Sequence, residues 1–332
     1  MTVLVLGGAG YIGSHMVAYL QQQHIGCVVV DNLATGFRES VPANVPFYEG
    51  DLADKTLLAD VFNKHDVSAV MHFAAFSQVG ESVVEPQKYY QNNLQNTLSV
   101  LQVMQEHGVE QFVFSSTAAV YGQPQSELID EQHPANPINP YGRSKLAVEW
   151  VLQDYAQAYG LKSVCLRYFN AAGAQPEGNN GERHDPETHL VPLVLQAASG
   201  RRKAISVFGD DYATADGTCI RDYIHIVDLA QAHLLALNWL QKQPGGVYKV
   251  FNLGNGNGYS VRQVIDAVKT VTGNAFKVVQ AARRAGDPGV LVASADLARK
   301  ELGWDPQFTD LEEIISHAWQ WEKQHGHLWG TK

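Results

Sequence analysis

Cysteine is scarce in this chain: Cys27, Cys165 and Cys219 are the only three among 332 residues. An odd number of thiols, set within or beside apolar runs, rules out a disulfide framework and points to buried, inert side chains in a reducing compartment. No apolar stretch reaches the roughly 18 residues of a membrane span. The first apolar run starts at residue 2, leaving no room for a signal peptide, so a cytoplasmic protein with no membrane partner is expected. Positive charge is also short, with Lys and Arg numbering 24 against 34 Asp and Glu, a formal net charge of −10. Basic runs amount to pieces such as GRRK at 200–203, which excludes a nucleic-acid surface. Internal repeats and low-complexity segments are missing as well. The 45% hydrophobic content supports a large core and, on length, about two domains. A small molecule is the expected partner.

Up to residue 170, short apolar runs alternate with amphipathic ones: TVLVL, HMVAYLQQQ, CVVVD, LLADVFNKH, AVMHFA, TLSVLQVMQEHG, QFVFSS, SKLAVEWVLQDYAQAYG and SVCLRYFN. Strand and helix patterns taking turns predict an α/β fold, a Rossmann-type doubly wound parallel sheet with right-handed crossovers. The texture then changes to AAGAQPEGNNGERHDPETHL, read as a long ordered or lid-like loop. Shorter elements follow, including helices at LVPLVLQAASG, VRQVIDAVKTVTG and LEEIISHAWQWEK and a strand at YKVFNLG. The expected division is a dinucleotide-binding domain over 1–170, to which some later segments return, and a smaller α+β substrate domain over 171–332.

The break from TVLVL into GGAGYIGSH places Gly7, Gly10 and Gly13 between a strand and a helix. Glycine there admits positive φ and lets backbone approach a pyrophosphate, while the helix N-terminus supplies free N–H groups. The second strand ends at Asp31, the spacing at which an acid binds ribose hydroxyls and repels a 2′-phosphate, which favours NAD over NADP. Asp51 and Leu52 follow the third strand, placed to hold an adenine edge or, for Asp51, to cap the next helix. Phe73, Ala74 and Ala75 close the fourth strand, with the small alanines where a dinucleotide crosses.

The strand QFVFSS runs into Ser115, Ser116 and Thr117, and NPYGRSK follows with Tyr141 and Lys145. Four residues make one helical turn, so Tyr141 and Lys145 share a face. A free phenol titrates near ~10, and a tyrosine base at neutrality needs a depression of about 3 units, roughly 4 kcal/mol. A buried Lys and a nicotinamide cation supply charge of the right sign. No metal ligand set is expected.

The stretches GGAGYIGSH, DNL, HFAA, VGESV, FSSTAAVYG, NPYGRSK, LRYFNAAGA, FGDDYATADGTCIRDYIHIVDLA, FNLGNG, RRAGD and AWQW resemble the extended short-chain dehydrogenase/reductases, and within them the UDP-glucose 4-epimerase family, over essentially the whole chain. The resemblance implies that tightly bound NAD takes hydride from sugar C4, that the 4-keto sugar turns over in the pocket, and that the hydride returns to the other face. It assigns proton exchange to Tyr141, support of the phenol and contact with the nicotinamide ribose to Lys145, and a hydrogen bond to the sugar oxygen to Thr117. NAD contacts are implied for Tyr11, Ile12, Asn32, Asn92, Ser115 and Tyr168 as well. The UDP-sugar falls to Asn170, His189, Leu190, Phe208, Arg221, Arg284, Asp287 and Leu291. His225 and Asp228 are read as structural support, with Asp228 capping a helix. Thr117 stands where relatives carry Ser, His189 where many carry Asn, and Ser77 where many carry Lys. Leu291 stands where a large Tyr narrows the sugar pocket and a small residue admits N-acetylated sugars. The family's equivalents of the helices at NTLSVLQVMQEHG and SKLAVEWVLQDYAQAYG pair across a two-fold axis, implying a homodimer. The same chemistry would serve UDP-N-acetylglucosamine or UDP-arabinose/xylose. The alternatives of different type are a dehydratase and a non-catalytic NAD(H)-sensing module.

Overall fold

The structure is a computed structural model that describes residues 1–283 and 287–326. Thirteen strands occur among these residues: β1 (Thr2–Leu6), β2 (Gly26–Asp31), β3 (Phe47–Glu49), β4 (Val67–His72), β5 (Gln111–Ser115), β6 (Lys162–Tyr168), β7 (Asn170–Ala172), β8 (Ile205–Phe208), β9 (Ile220–His225), β10 (Tyr248–Leu253), β11 (Gly258–Ser260), β12 (Val278–Ala281) and β13 (Val290–Leu291). Seven of them form the main sheet in the order β10-β6-β5-β4-β1-β2-β3, and every pair in it is parallel.

Strict alternation along the strands divides the core in two. Val3, Val5, Val29, Met71, Val113, Val164 and Phe251 face the helices Tyr11–Gln22 and Ile226–Gln241. Leu4, Leu6, Val30, Val70, Phe112, Phe114 and Cys165 face the helices Lys55–His65, Asn96–Glu106 and Pro140–Tyr159. Strands buried on both faces read as continuous apolar runs, which is why TVLVL and CVVVD announce a parallel sheet. Cys27, Cys165 and Cys219 are buried and unpaired. A third core, built from the helices Leu190–Ala198, Val261–Thr272 and Leu311–His325 against Ile205, Val207 and Tyr223, supports the second half of the chain.

Two placements differ from the sequence reading. The YKVFNLG strand, expected in the smaller domain, extends the main sheet as β10 beside β6, with the helix Ile226–Gln241 covering the first core. A run of apolar residues specifies burial, not which sheet edge receives it. The helix beginning at Ile226 is capped by His225, whose side chain accepts from Val227 N at 3.2 Å. Asp228 is not the cap. Its carboxylate accepts from Gln307 N and Phe308 N at 2.9 Å and so ties the 304–308 segment to this helix.

The crossing from β4 to β1 and the reversal of strand order on either side of them put the crevice at the carboxyl ends of the strands, where ligands of doubly wound sheets bind.

Candidate active site

At the end of β1, Gly7 takes φ +78, and a Cβ there would lie 2.5 Å from Ala74 N. Only glycine fits, because Phe73 N and Ala74 N both donate to Leu6 O at the mouth of the crevice. A Cβ on Gly13 would overlap the Gly7 carbonyl oxygen. Gly10 precedes the helix Tyr11–Gln22 and offers no side-chain cap, so the helix start presents backbone N–H groups to the crevice. Ile12 is half-buried behind them. The Tyr11 side chain turns away from the loop, its hydroxyl donating to Gly173 O at 2.8 Å. Asp31 ends β2 with its carboxylate buried, accepting from Ala9 N at 2.9 Å and Leu33 N at 2.8 Å.

Beside Asp31 is a polar rim. Asn32 donates to Asp51 at 3.0 Å, and Asn96 donates to the same carboxylate at 2.9 Å. The next helix, Lys55–His65, is capped by Asp54, which removes the capping alternative for Asp51. Leu52 is buried in the core beneath. Ala75 leaves the sheet with Ala74. Asn92 lies on the turn Tyr90–Gln95 and gives its amide to Asn93, which in turn bridges Phe76 and Ser144.

The helix Pro140–Tyr159 starts sharply: Asn139 accepts from Gly142 N at 2.9 Å, and Pro140 occupies the first turn. This start sets Tyr141 against the carboxyl end of β5. The phenol lies close enough to the Thr117 side chain for that hydroxyl to pull its titration downward, and its ring meets the buried Tyr89 edge-on at 6.4 Å. One turn later, Lys145 is buried, donates to Ser115 O at 2.8 Å and lies over the Phe114 ring at 4.7 Å. Ser115 Oγ bonds the Tyr168 hydroxyl, joining the ends of β5 and β6.

Burial dominates the titration of this group. It raises the Tyr141 phenol, with the Thr117 hydroxyl pulling the other way, and it lowers Lys145 to about 7. Of the depression expected from Lys145 and a nicotinamide cation together, the protein without that cation shows none. Lys145 Nζ is engaged at the strand end instead, and the phenol rests protonated at neutral pH.

Toward the second half of the chain, Asn170 donates to Asp222 O at 2.8 Å and fixes β7 on β9. Arg221 and Asp287, both expected to meet the substrate, meet each other at 2.5 Å. Leu291 on β13 pairs with Arg221 and packs against a cluster that includes Ala118, Tyr121 and Leu146. Phe208 ends β8, and Leu190 opens the helix directly after His189. His189 bonds Glu182 at 2.5 Å. Arg284 lies outside the described residues.

Glycine loop, buried acid, strand-end hydroxyls and the start of the Tyr/Lys helix all stand at the carboxyl ends of the parallel strands. A family model, "NAD dependent epimerase/dehydratase family", matches residues 3–254. The chain belongs to this family. It is 51% identical to a UDP-glucose 4-epimerase of Halalkalibacterium halodurans over all of this chain and 98% of that protein. A crystal structure of a UDP-glucose 4-epimerase superposes with a TM-score of 0.96 at 51% identity, covering 98% of each chain. That of the Brucella ovis UDP-glucose 4-epimerase in complex with NAD gives 0.92 at 48% identity, covering 96% of this chain and 97% of that one.

As a member of this epimerase/dehydratase family, the chain uses NAD. The residues fit it: a cradle that a Cβ at Gly7 would fill, an uncapped helix start, and a buried carboxylate at the end of β2. Two supports of the site escape sequence reasoning. Tyr89 underlies Tyr141, with its hydroxyl on Gln78 O and Glu81 at 2.7 Å. Glu149 lies one turn beyond Lys145 in contact with Ser116 and Arg167. The four-residue repeat Tyr141, Lys145, Glu149 is the available signal for the second; nothing local marks Tyr89.

Proposed function

We propose that the chain interconverts UDP-galactose and UDP-glucose by inverting C4, with NAD retained and left in its starting state after each turnover. Within a family of epimerases and dehydratases, the observation that carries this reading is the pair of alanines directly after Thr117. Ala118 and Ala119 follow Thr117 in the turn Ala118–Val120, at the positions where a dehydratase of this kind would need an acid and a base. Methyl groups move no protons. Thr117 and Tyr141 remain, a hydroxyl pair suited to carrying one proton to and from one sugar oxygen.

When bound, NAD supplies reversible hydride acceptance at C4. The residues do the rest. Tyr141 exchanges the proton of the 4-hydroxyl, and Thr117 hydrogen-bonds that oxygen as it becomes a carbonyl. Making Tyr141 a base at pH 7 requires roughly 4 kcal/mol of favourable field; Lys145, held at Ser115 O, is not among the groups that lower the phenol here, and the positive charge of bound NAD would supply field of the right sign. Asp31 and Asn32 take the adenosine ribose, with Asp51 and Leu52 at the adenine. On the sugar-nucleotide side the contacts fall to Asn170, His189, Leu190, Phe208, Arg221, Arg284, Asp287 and Leu291. Arg221 then exchanges its Asp287 partner for diphosphate and leaves the acid to the uridine ribose.

The test is incubation of purified protein with UDP-galactose and no added NAD. Appearance of UDP-glucose on anion-exchange chromatography is expected. No conversion even after NAD is supplied would overturn the reading.

Leu291 carries the specificity. Packed beside Ala118, next to Thr117, it is of intermediate size, which supports some turnover of the N-acetylhexosamine pair. Leu291→Tyr is expected to abolish N-acetylated turnover while UDP-galactose conversion stays within a few-fold. A variant that keeps both activities sinks the gate. A homodimer through the helices Asn96–Glu106 and Pro140–Tyr159 completes the proposal, supported by the exposure of Leu98 (37%) and Trp150 (60%). A cytoplasmic location is supported by three buried, unpaired thiols. None of the described helices is long and apolar enough to cross a membrane.

A further inference from the structure

The loop between β7 and the helix Leu190–Ala198 folds so that four side chains converge. Glu182, His184, Glu187 and His189 each place one ligand atom within 4.8 Å of all the others. Glu182 Oε1 is 2.5 Å from His189 Nδ1 and 3.4 Å from His184 Nδ1. Glu187 Oε2 is 3.5 Å from His184 Nδ1, and Glu187 Oε1 is 3.7 Å from His189 Nδ1. Both carboxylates are almost wholly buried. His184 Nδ1 and Glu187 Oε2 are buried and make no hydrogen bond, although they face each other. Leaving two such atoms unsatisfied is costly, and a shared electrophile relieves both at once.

We propose that Glu182, His184, Glu187 and His189 form a structural zinc site. Bonds of about 2.0–2.1 Å in a tetrahedron separate the ligand atoms by about 3.4 Å. Three of these four nitrogen–oxygen separations already lie near that value, Glu187 meeting His184 through Oε2 and His189 through Oε1. The fourth, His189 to Glu182, has to open by about 1 Å to reach the tetrahedral spacing, and the half-exposed His189 side chain has room to move. Two imidazole nitrogens and two carboxylate oxygens suit a zinc-class divalent cation, and four protein ligands leave no open position, as in a structural centre. The site joins two parts of the molecule. Asn180 and Gly173 in the same loop are held by Ser14, His15 and Tyr11 of the first helix. The Trp321 indole of the last long helix donates to Glu182 O at 3.0 Å. An ion at the centre locks the loop between the helix that opens at the cofactor crevice and the helix Leu311–His325.

The experiment uses the full chain stripped with a chelator and desalted. Calorimetric titration with Zn²⁺ is expected to give one ion per chain, and elemental analysis after desalting the same ratio. His184→Ala and Glu187→Gln are each expected to weaken zinc at least ~100-fold, and zinc is expected to slow proteolysis of the 173–189 loop in the native chain only. Wild-type protein that retains no zinc overturns the proposal without reference to any variant, as does unchanged affinity in both variants.

Discussion

Tyr141→Phe is expected to lower kcat for UDP-galactose by about 10²–10⁴-fold, the range for removal of a positioned proton donor and acceptor, while leaving the fold and the NAD content untouched. The ring adds packing to this helix turn: it meets Tyr89 edge-on, and Tyr89 is anchored by its own hydroxyl to Gln78 and Glu81. Phenylalanine keeps that contact and loses only the oxygen at Thr117. Thr117→Ser, which retains the hydroxyl, should stay within a few-fold of the native rate. The readouts are steady-state kcat and the NAD released on denaturation. A fall of less than about 10-fold in kcat would remove Tyr141 from the proton path; loss of NAD together with activity would make it a structural residue instead.

How much of this site is legible in the sequence depends on how local each feature is. Gly7, Gly10 and Gly13 are legible because a strand-to-helix turn with a positive φ leaves one residue type possible, and Asp31 because it ends the next strand at a fixed distance along the chain. Tyr141 and Lys145 are legible as one helical turn. Their electrostatic relation is not. Whether an ammonium faces a phenol or a backbone carbonyl is decided by the packing of β5 against the helix, and here it faces Ser115 O. The pairing of Arg221 with Asp287 is equally hidden, since β13 reaches β9 only through tertiary contact. The pattern Glu-x-His-x-x-Glu-x-His at 182–189 is visible but lies in a stretch that reads as a loop, with no metal expected there. The buried apolar strands announce the sheet but not its last member, because β10 enters beside β6 with Tyr248 paired to Ser163, far back along the chain.

Below Tyr141 and Lys145, the same helix face reaches Glu149, which is fully buried. It accepts from Ser116 Oγ at 2.5 Å and from Arg167 through two nitrogens at 3.0 and 2.5 Å. Arg167 continues to the Tyr121 hydroxyl at 3.1 Å, and Tyr121 donates to Asn252 at 2.6 Å, so β5, β6, β10 and the catalytic helix meet in one polar network. Glu149→Gln leaves a guanidinium buried without its counter-charge and is expected to cost about 3–5 kcal/mol in urea unfolding. Glu149→Leu with Arg167→Met removes both charges and should recover most of that loss. The recovered protein separates two roles. If the network only stabilises, the double variant turns over UDP-galactose at nearly the native rate. If it also sets the rung of the helix that delivers Tyr141 to Thr117, stability returns and kcat does not, because Ser116 has lost the acceptor that fixes the strand end one residue before Thr117. A single substitution costing under about 1 kcal/mol would show that the pair is incidental to both.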